Sequence, residues 1–420
     1  MTNSTGRPAL RSSAVFVATL VAGLLAGGCS NLLDVQFPGR IPSDQINNPT
    51  LAPVLADGVV GDFECAYNNY FSGTSAHSDE FEASNDNGTL ANAGERNVTA
   101  DNDDYAISGC EAGNGSFGIQ VPMHTARFQS EDVYKRLKAW TDAQVPNRGS
   151  LLAKVRAYGG YTYIFLGETY CEFRVDGGAA QPLSAALNLA VERLTEAATL
   201  AQAAGNTEIL NMANVGLARA NMDLKKWADA ATFATKVPAG FEIFVSRGIE
   251  NDRRWNKLYY LFNSLGAFVV GNSFRTLNDP RVPIEDTNRG AFNPDIDLWV
   301  TTKYKGLGDP IRLASYREAQ LVLAEAKAMQ GDVAGALAIL NGRRAALSLP
   351  PLAAADQAAA VNQVIDERKK ELAFEGGHRL NDLLRKNIPW KAAGTSNPFT
   401  GRPYGATTCW PTPTKEINGF

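Results

Sequence analysis

The sequence predicts a mainly α fold, a repeating scaffold of paired helices interrupted by loop-rich insertions. Three observations predict it. Residues 131–240 and 312–386 are rich in Ala, Leu, Glu, Lys and Arg, with apolar positions at helical spacing. Small residues recur twelve apart, Ala218 to Ala230 and again Ala324 to Ala336, as expected where two antiparallel helices approach closely and each pair buries its face on the next. The segments between and before these blocks, about 58–130 and 241–311, carry Asn, Gly, Asp, Ser and turn residues such as Asn278-Asp279-Pro280, and read as loops.

Residues 1–28 read as a signal peptide. Arg7 and Arg11 supply its positive start, and Ala14 to Ala26 is uncharged, largely apolar and too short for a permanent span. Gly27-Gly28 runs into Cys29, which suits lipid transfer to the thiol before cleavage, so the mature chain is expected to begin at a lipidated Cys29. Several acyl chains would then hold it on a membrane. Loss of Arg7 and Arg11 makes the formal charge of −4 two units more negative. An acidic chain without a basic run is a poor partner for nucleic acid or for an anionic lipid surface. Four cysteines follow Cys29, namely Cys65, Cys110, Cys171 and Cys409, and outside the cytoplasm they suggest two disulfides with three possible pairings. Cys65 with Cys110 and Cys171 with Cys409 is favoured, because the first two bracket one loop-rich segment. No two of these cysteines are close and no His pair accompanies them, so no metal site is expected.

No Pro/Ser-rich linker or charge run divides residues 29–420, which are read as a single domain. Within 58–130, Ser84-Asn85-Asp86-Asn87-Gly88 and Ala112-Gly113-Asn114-Gly115 mark long loops. The first helix pair starts at Val155-Arg156-Ala157-Tyr158 and reaches Leu166-Gly167, with its second helix after Pro182-Leu183-Ser184, where Ser184 is placed to cap. Gly216-Leu217-Ala218 with Ala230, and Leu323-Ala324 with Ala336 around the turn Gly331-Asp332, make two further tetratricopeptide-like copies. In 365–386, Ile365, Leu372, Leu380 and Leu383 can share an apolar stripe. Arg368, Glu371, Glu375 and Arg379 can pair along one helix face, which Gly376-Gly377 interrupts. This charged set is read as structural.

Enzyme signatures are missing. His77, His124 and His378 are scattered, and no nucleophile elbow, phosphate-binding glycine loop or two-histidine metal motif occurs. Asp79, Glu80 and Glu82 could imitate a glycosidase carboxylate pair but read as solvated acids on a loop. Asp101-Asn102-Asp103-Asp104 lacks the glycine turn and distal glutamate of a calcium loop. The expectation is a binding protein with no catalytic residue, metal or cofactor. Sugar binding needs flat aromatic faces beside amides and carboxylates. Two clusters offer them: Tyr67-Asn68-Asn69-Tyr70-Phe71, and Trp255, Asn256, Tyr259 and Tyr260 joined at a distance by Trp299 and Tyr304. Asn68, Asn69, Tyr70, Trp255, Tyr259 and Trp299 are the candidate ligand contacts, while Trp140, Trp227 and Trp390 are read as packing residues.

Several motifs carry a family resemblance. Cys29-Ser30-Asn31-Leu32-Leu33-Asp34, Tyr316-Arg317-Glu318-Ala319 through Ala324-Glu325-Ala326, and Ala336-Leu337 with Leu340-Asn341 and Arg343 form one set. Glu367-Arg368, Glu371-Leu372, Phe374-Glu375-Gly376, Arg379, Asp382-Leu383, and the closing Trp410-Pro411-Thr412-Pro413 with Glu416-Ile417 form another. Together they resemble the SusD/RagB family of outer-membrane nutrient-binding lipoproteins. The resemblance implies a tetratricopeptide-like helical-repeat scaffold with a loop-rich ligand-binding lobe, a SusD-like α/α superhelix. It implies a lipid-anchored outer-membrane location at the cell surface. It also implies a TonB-dependent SusC-like barrel as partner, to which captured oligosaccharides are delivered. Two alternatives stand beside this: peptide uptake in the manner of RagB, and a helical-repeat adaptor of an envelope complex with no small ligand.

Overall fold

The computed structural model describes residues 45–86, 88–101, 104–107, 109–114 and 116–418. The leader and Cys29 lie outside the described residues, as do parts of the 101–104 acidic run. Met1–Asn48 and Pro49–Phe420 are separate units. Of the first, a turn at 45–47 is described; everything below concerns the second.

Its central element is the 26-residue helix Ala52–His77, which opens with Pro53 in the first turn, where a missing N–H costs nothing. From Phe63 to Ser78 every residue is buried. A helix enclosed on all sides needs no amphipathic period, and its polar residues must find partners inside. Ser72 and Thr74 do so within the helix, donating to the Asn68 and Tyr70 carbonyls at 2.9 and 2.6 Å. This corrects the loop expected from residue 58 onward. Asn, Ser and Gly mark turns in solvent, but here they let neighbouring elements approach the helix.

Paired helices pack around it. Arg148–Thr169 lies against Leu183–Ala203, Thr207–Asp223 precedes Trp227–Ala234, and Tyr316–Met329 precedes Val333–Ala346. Leu194 explains the close approach in the first group. A Cβ on Gly160 would lie 2.5 Å from its Cγ, and one on Gly216 2.9 Å from its Cδ1. Leu321, Ala324, Ala328, Ala336 and Leu340 form a core with Ala360 and Val364 of the helix Gln357–Glu371. Helix starts are capped by Asn206, Ser315, Asp332 and Asp356, each accepting from the backbone N–H three residues on, at 2.8–3.1 Å. Ser184 is not a cap: the helix begins at Leu183 with Pro182 at the cap position, which leaves Ser184 in the first turn.

Among the described residues, three two-stranded antiparallel sheets join the segments that the helices leave irregular. Phe81–Ala83 pairs with Phe268–Val270, Glu242–Val245 with Ile311–Ser315, and Ile284–Gly290 with Asp297–Thr301. Cys65–Cys110 ties the central helix to the 109–114 segment, and Cys171–Cys409 ties the end of Arg148–Thr169 to the C-terminal region.

Lys370 with Asp366 and Arg385 with Asp382 pair along their own helices, but the set expected to do so, Arg368, Glu371, Glu375 and Arg379, does not. Every residue from Glu371 to Leu383 is buried, and the charges reach other elements. Glu367 meets Arg281 at 2.6 Å, Glu371 meets Arg343 at 2.9 Å, Glu375 meets Lys303 at 2.7 Å and Arg379 meets Asp79 at 2.6 Å. Arg368 does turn to its own stretch, to Asp382 at 3.0 Å. Buried charges need partners of opposite sign, and a helix enclosed by others finds them there. The apolar stripe also shifts, with Val364 fully buried and Ile365 half-buried. Gly376 and Gly377 separate Gln357–Glu371 from the helix His378–Arg385. Both have positive φ, 42° and 78°.

Candidate ligand-binding site

The six residues singled out for ligand contact do not come together. Asn68, Asn69 and Tyr70 are buried in the central helix. Asn68 donates to the Trp255 carbonyl at 2.9 Å and accepts from the Lys257 backbone N–H at 3.0 Å. Asn69 donates to the Gly109 and Gly118 carbonyls, at 3.1 and 2.9 Å, and accepts from Lys257 Nζ at 3.0 Å. Tyr70 donates to Glu168 at 3.0 Å. Their polar atoms join the helix to the segments around it, and their burial leaves no face for a ligand. Trp255 and Tyr259 are half-buried around the start of the π-helical turn Tyr259–Ser264, with the Trp255 ring 5.2 Å from that of Tyr260. Trp299, also half-buried, sits on Asp297–Thr301 with the Arg275 guanidinium 5.7 Å from its ring. Tyr304 is buried and donates to the Phe374 carbonyl at 3.0 Å.

A cleft of about 320 Å³ forms elsewhere, where the end of the central helix meets Phe81–Ala83, the short helix Asn272–Arg275 and the chain at 389–404. Trp390, expected as a packing residue in helical context, lies outside the helices, half-buried, and lines this cleft. Its ring stands edge-on to His77 at 6.1 Å, and the Arg96 guanidinium lies 5.2 Å from its centroid and 5.8 Å from that of Tyr404. Lys391 Nζ donates to the Tyr404 hydroxyl at 2.8 Å and pairs with Glu82 at 2.9 Å. Glu82 also accepts from the Asn272 N–H at 3.2 Å. Asp79 is held by Arg379 at 2.6 and 2.8 Å and by Ser273 at 3.2 Å.

These contacts fix the charge states. Burial alone would raise the Asp79 carboxyl, but the hydrogen bonds and charge of Arg379 hold it below its ordinary range. Burial pushes Glu80 up to about 7, although the Phe374 N–H donates to it. Burial lowers His77 to about 4, so the ring is neutral at pH 7 and its Nδ1 faces the Ala93 carbonyl at 3.0 Å. The three neighbouring acids are therefore not a glycosidase pair. Asp79 is held by Arg379, Glu80 is turned inward and Glu82 is held by Lys391. Ring faces beside fixed donors and acceptors suit recognition of a hydroxyl-rich ligand, and the volume falls in the range of small-ligand sites. Among the described residues no group of three His, Cys, Asp or Glu is placed to hold a metal ion, and no helix is long and apolar enough to cross a membrane.

A larger groove, about 400 Å³, runs beside Tyr316–Met329, Val333–Ala346 and Gln357–Glu371. Its walls are Leu321, Ala338, Ile339 and Leu340, and Tyr316 is its one aromatic. Its acids are already engaged, Glu367 by Arg281 and Arg344 and Glu371 by Arg343. It offers a sugar less than the Trp390 cleft does.

The cleft residues come from positions that spacing cannot bring together, but one signal was present. Pro389 restricts the residue before it and ends helical context, so Trp390 could have been read as lying outside a helix.

Residues 301–411 match the model of the SusD family. Comparison with curated protein sequences gives no match. Solved structures share the fold over most of the chain. A SusD homolog from Bacteroides thetaiotaomicron VPI-5482 superposes with a TM-score of 0.65 at 15% identity, covering 90% of this chain and 97% of its own. A SusD superfamily protein from Parabacteroides distasonis ATCC 8503 gives 0.64 at 12% identity, over 90% and 98%. A SusD-like carbohydrate binding protein from Bacteroides vulgatus ATCC 8482 gives 0.60 at 17% identity, over 83% and 86%.

Proposed function

From the match of residues 301–411 to the SusD family model and the fold shared with SusD-like structures, we propose that the chain is a SusD/RagB family protein that captures an oligosaccharide in the Trp390 cleft and delivers it to a TonB-dependent SusC-like transporter in the outer membrane. It is a binding protein, not an enzyme. The observation that carries the reading is the half-buried Trp390 lining a cleft of about 320 Å³, beside Tyr404, Asn272 and the paired Glu82 and Lys391. Carbohydrate binding by a structural relative supports it, and the lipid anchor and outer-membrane location rest on the Leu25-to-Cys29 pattern and the family. Trp255, Tyr259 and Trp299 keep ring surface and are proposed as separate contacts.

Calorimetry with purified chain and a panel of oligosaccharides tests the capture step. Trp390→Ala is expected to weaken binding at least tenfold while Trp255→Ala and Trp299→Ala have smaller effects; equal affinity for Trp390→Ala and the native chain sinks the assignment. Pull-down of the tagged, lipidated protein from detergent-solubilised outer membranes tests the partner. Recovery of a large TonB-dependent barrel supports delivery. The 400 Å³ groove, with Arg317 45% exposed near Glu371, favours a second reading as an adaptor. Recovery of soluble envelope proteins without a barrel would favour that reading instead.

A further inference from the structure

The charges around the Trp390 cleft pair off with one left over. Asp79 is matched by Arg379, and Glu82 by Lys391. Glu80 points inward, where burial favours its neutral form. The neighbouring acid in sequence, Glu95, turns to Arg402 at 3.1 Å and to Thr400. Arg96 lines the cleft, is only 5% exposed, and has no carboxylate within ion-pair distance among the described residues. Its side-chain polar contact is one N–H to the Lys391 carbonyl, and its guanidinium carbon lies 5.2 Å from the Trp390 ring centroid and 5.8 Å from that of Tyr404.

A buried guanidinium without a counter-ion is costly, since ring faces and a carbonyl replace only part of its hydration. The backbone fixes where this side chain stands. Arg96 has φ of 57° as the left-handed residue that closes the helix Gly88–Gly94, with the Asn97 N–H on the Asn92 carbonyl at 2.8 Å and its own N–H on the Ala93 carbonyl at 3.2 Å. An unpaired charge held in a cleft by a fixed backbone marks a position able to take an anionic partner. The chain as a whole is acidic, with a formal charge of −4, so a cation placed here acts against the general field.

Resting on the reading of this cleft as the carbohydrate site, we infer that its ligand is an anionic sugar, in which a uronic carboxylate or a sulfate ester pairs with Arg96 while the pyranose ring lies against Trp390. A guanidinium presents two parallel N–H groups to either anion, which a neutral hydroxyl cannot match in charge.

The test is a glycan array of neutral, uronic and sulfated oligosaccharides, probed with the purified full chain and with Arg96→Gln, Arg96→Lys and Trp390→Ala, each first checked by thermal melting. The expected result is retention on uronic or sulfated spots, lost at least tenfold in Arg96→Gln and Trp390→Ala and largely kept in Arg96→Lys. Which of the two sets is retained identifies the anion. Affinity of the native chain for those spots should also fall several-fold between 50 and 500 mM salt, on the order expected for a contact between charges, and this reading stands even if Arg96→Gln does not fold. Retention on neutral spots only, insensitive to salt and to Arg96→Gln but lost in Trp390→Ala, overturns the anionic ligand and leaves the cleft. Binding indifferent to Trp390→Ala overturns the cleft as well, and so does a chain that retains no glycan.

Discussion

Arg379 grips Asp79 through two parallel hydrogen bonds, 2.6 and 2.8 Å, across 300 positions of sequence. One partner belongs to the buried charged run near the C-terminus, and the other lines the Trp390 cleft. The run therefore supports the cleft wall from behind, and Leu383 from the same run lines the cleft itself.

That pairing makes stability depend on acid pH. With its folded-state value held below the ordinary 3.8, Asp79 contributes stability that is complete above about pH 4 and is lost as pH falls through the folded value. Arg379→Met should cost about 2 kcal/mol at pH 7, less than the roughly 3–5 kcal/mol of a wholly buried pair, because the Asp79 side chain is 28% exposed. Urea titrations at pH 7 and pH 3 check it. The deficit should shrink at pH 3, and an unchanged deficit would mean that Arg379 acts through packing alone.

Glu80 should behave in the opposite sense. Its folded value of about 7 lies above the ordinary 4.5, so between those pH values the unfolded chain releases a proton that the folded chain keeps. Stability attributable to Glu80 therefore falls as pH rises from about 4.5 to 7, by about 3 kcal/mol, and is level above that. Glu80→Gln keeps an acceptor for the Phe374 N–H without the charge. Its melting temperature should exceed that of the native chain at pH 8 and match or trail it at pH 4.5.

Asn69 should prove structural. Removing its side chain leaves Lys257 Nζ and two backbone carbonyls without their partner inside the protein. Asn69→Ala should cost about 2–4 kcal/mol in chemical denaturation, with little change in glycan affinity of the molecules that remain folded. A stable variant that has lost its ligand would reverse this assignment.

Gly377→Ala should be among the most damaging single substitutions. The position has φ of 78°, and an added Cβ would collide with the Tyr70 hydroxyl. Backbone strain and overpacking together predict a loss of about 2–4 kcal/mol, read as a lower urea midpoint. Gly394→Ala, with φ of 86° but open space around it, isolates the backbone part and should cost less.

The helix pairs were legible because their physics is local. Close approach of two helices demands small residues at fixed intervals, and Ala218, Ala230, Ala324 and Ala336 are all fully buried. The central helix was not legible. From Phe63 onward it is enclosed on every side and has no polar face to set a period, and Asn68 and Asn69 look like turn residues until their partners at 109, 118, 255 and 257 are in place.

From sequence alone, then, came the helical class, the repeat register, the resemblance to a family and the residues able to stack or pair, because each depends on residue type and short spacing. Only the tertiary structure decided which of them are enclosed and which line a cleft. Trp390, Arg96, Glu82 and Tyr404 meet through contacts hundreds of residues apart, and burial depends on everything packed around a side chain.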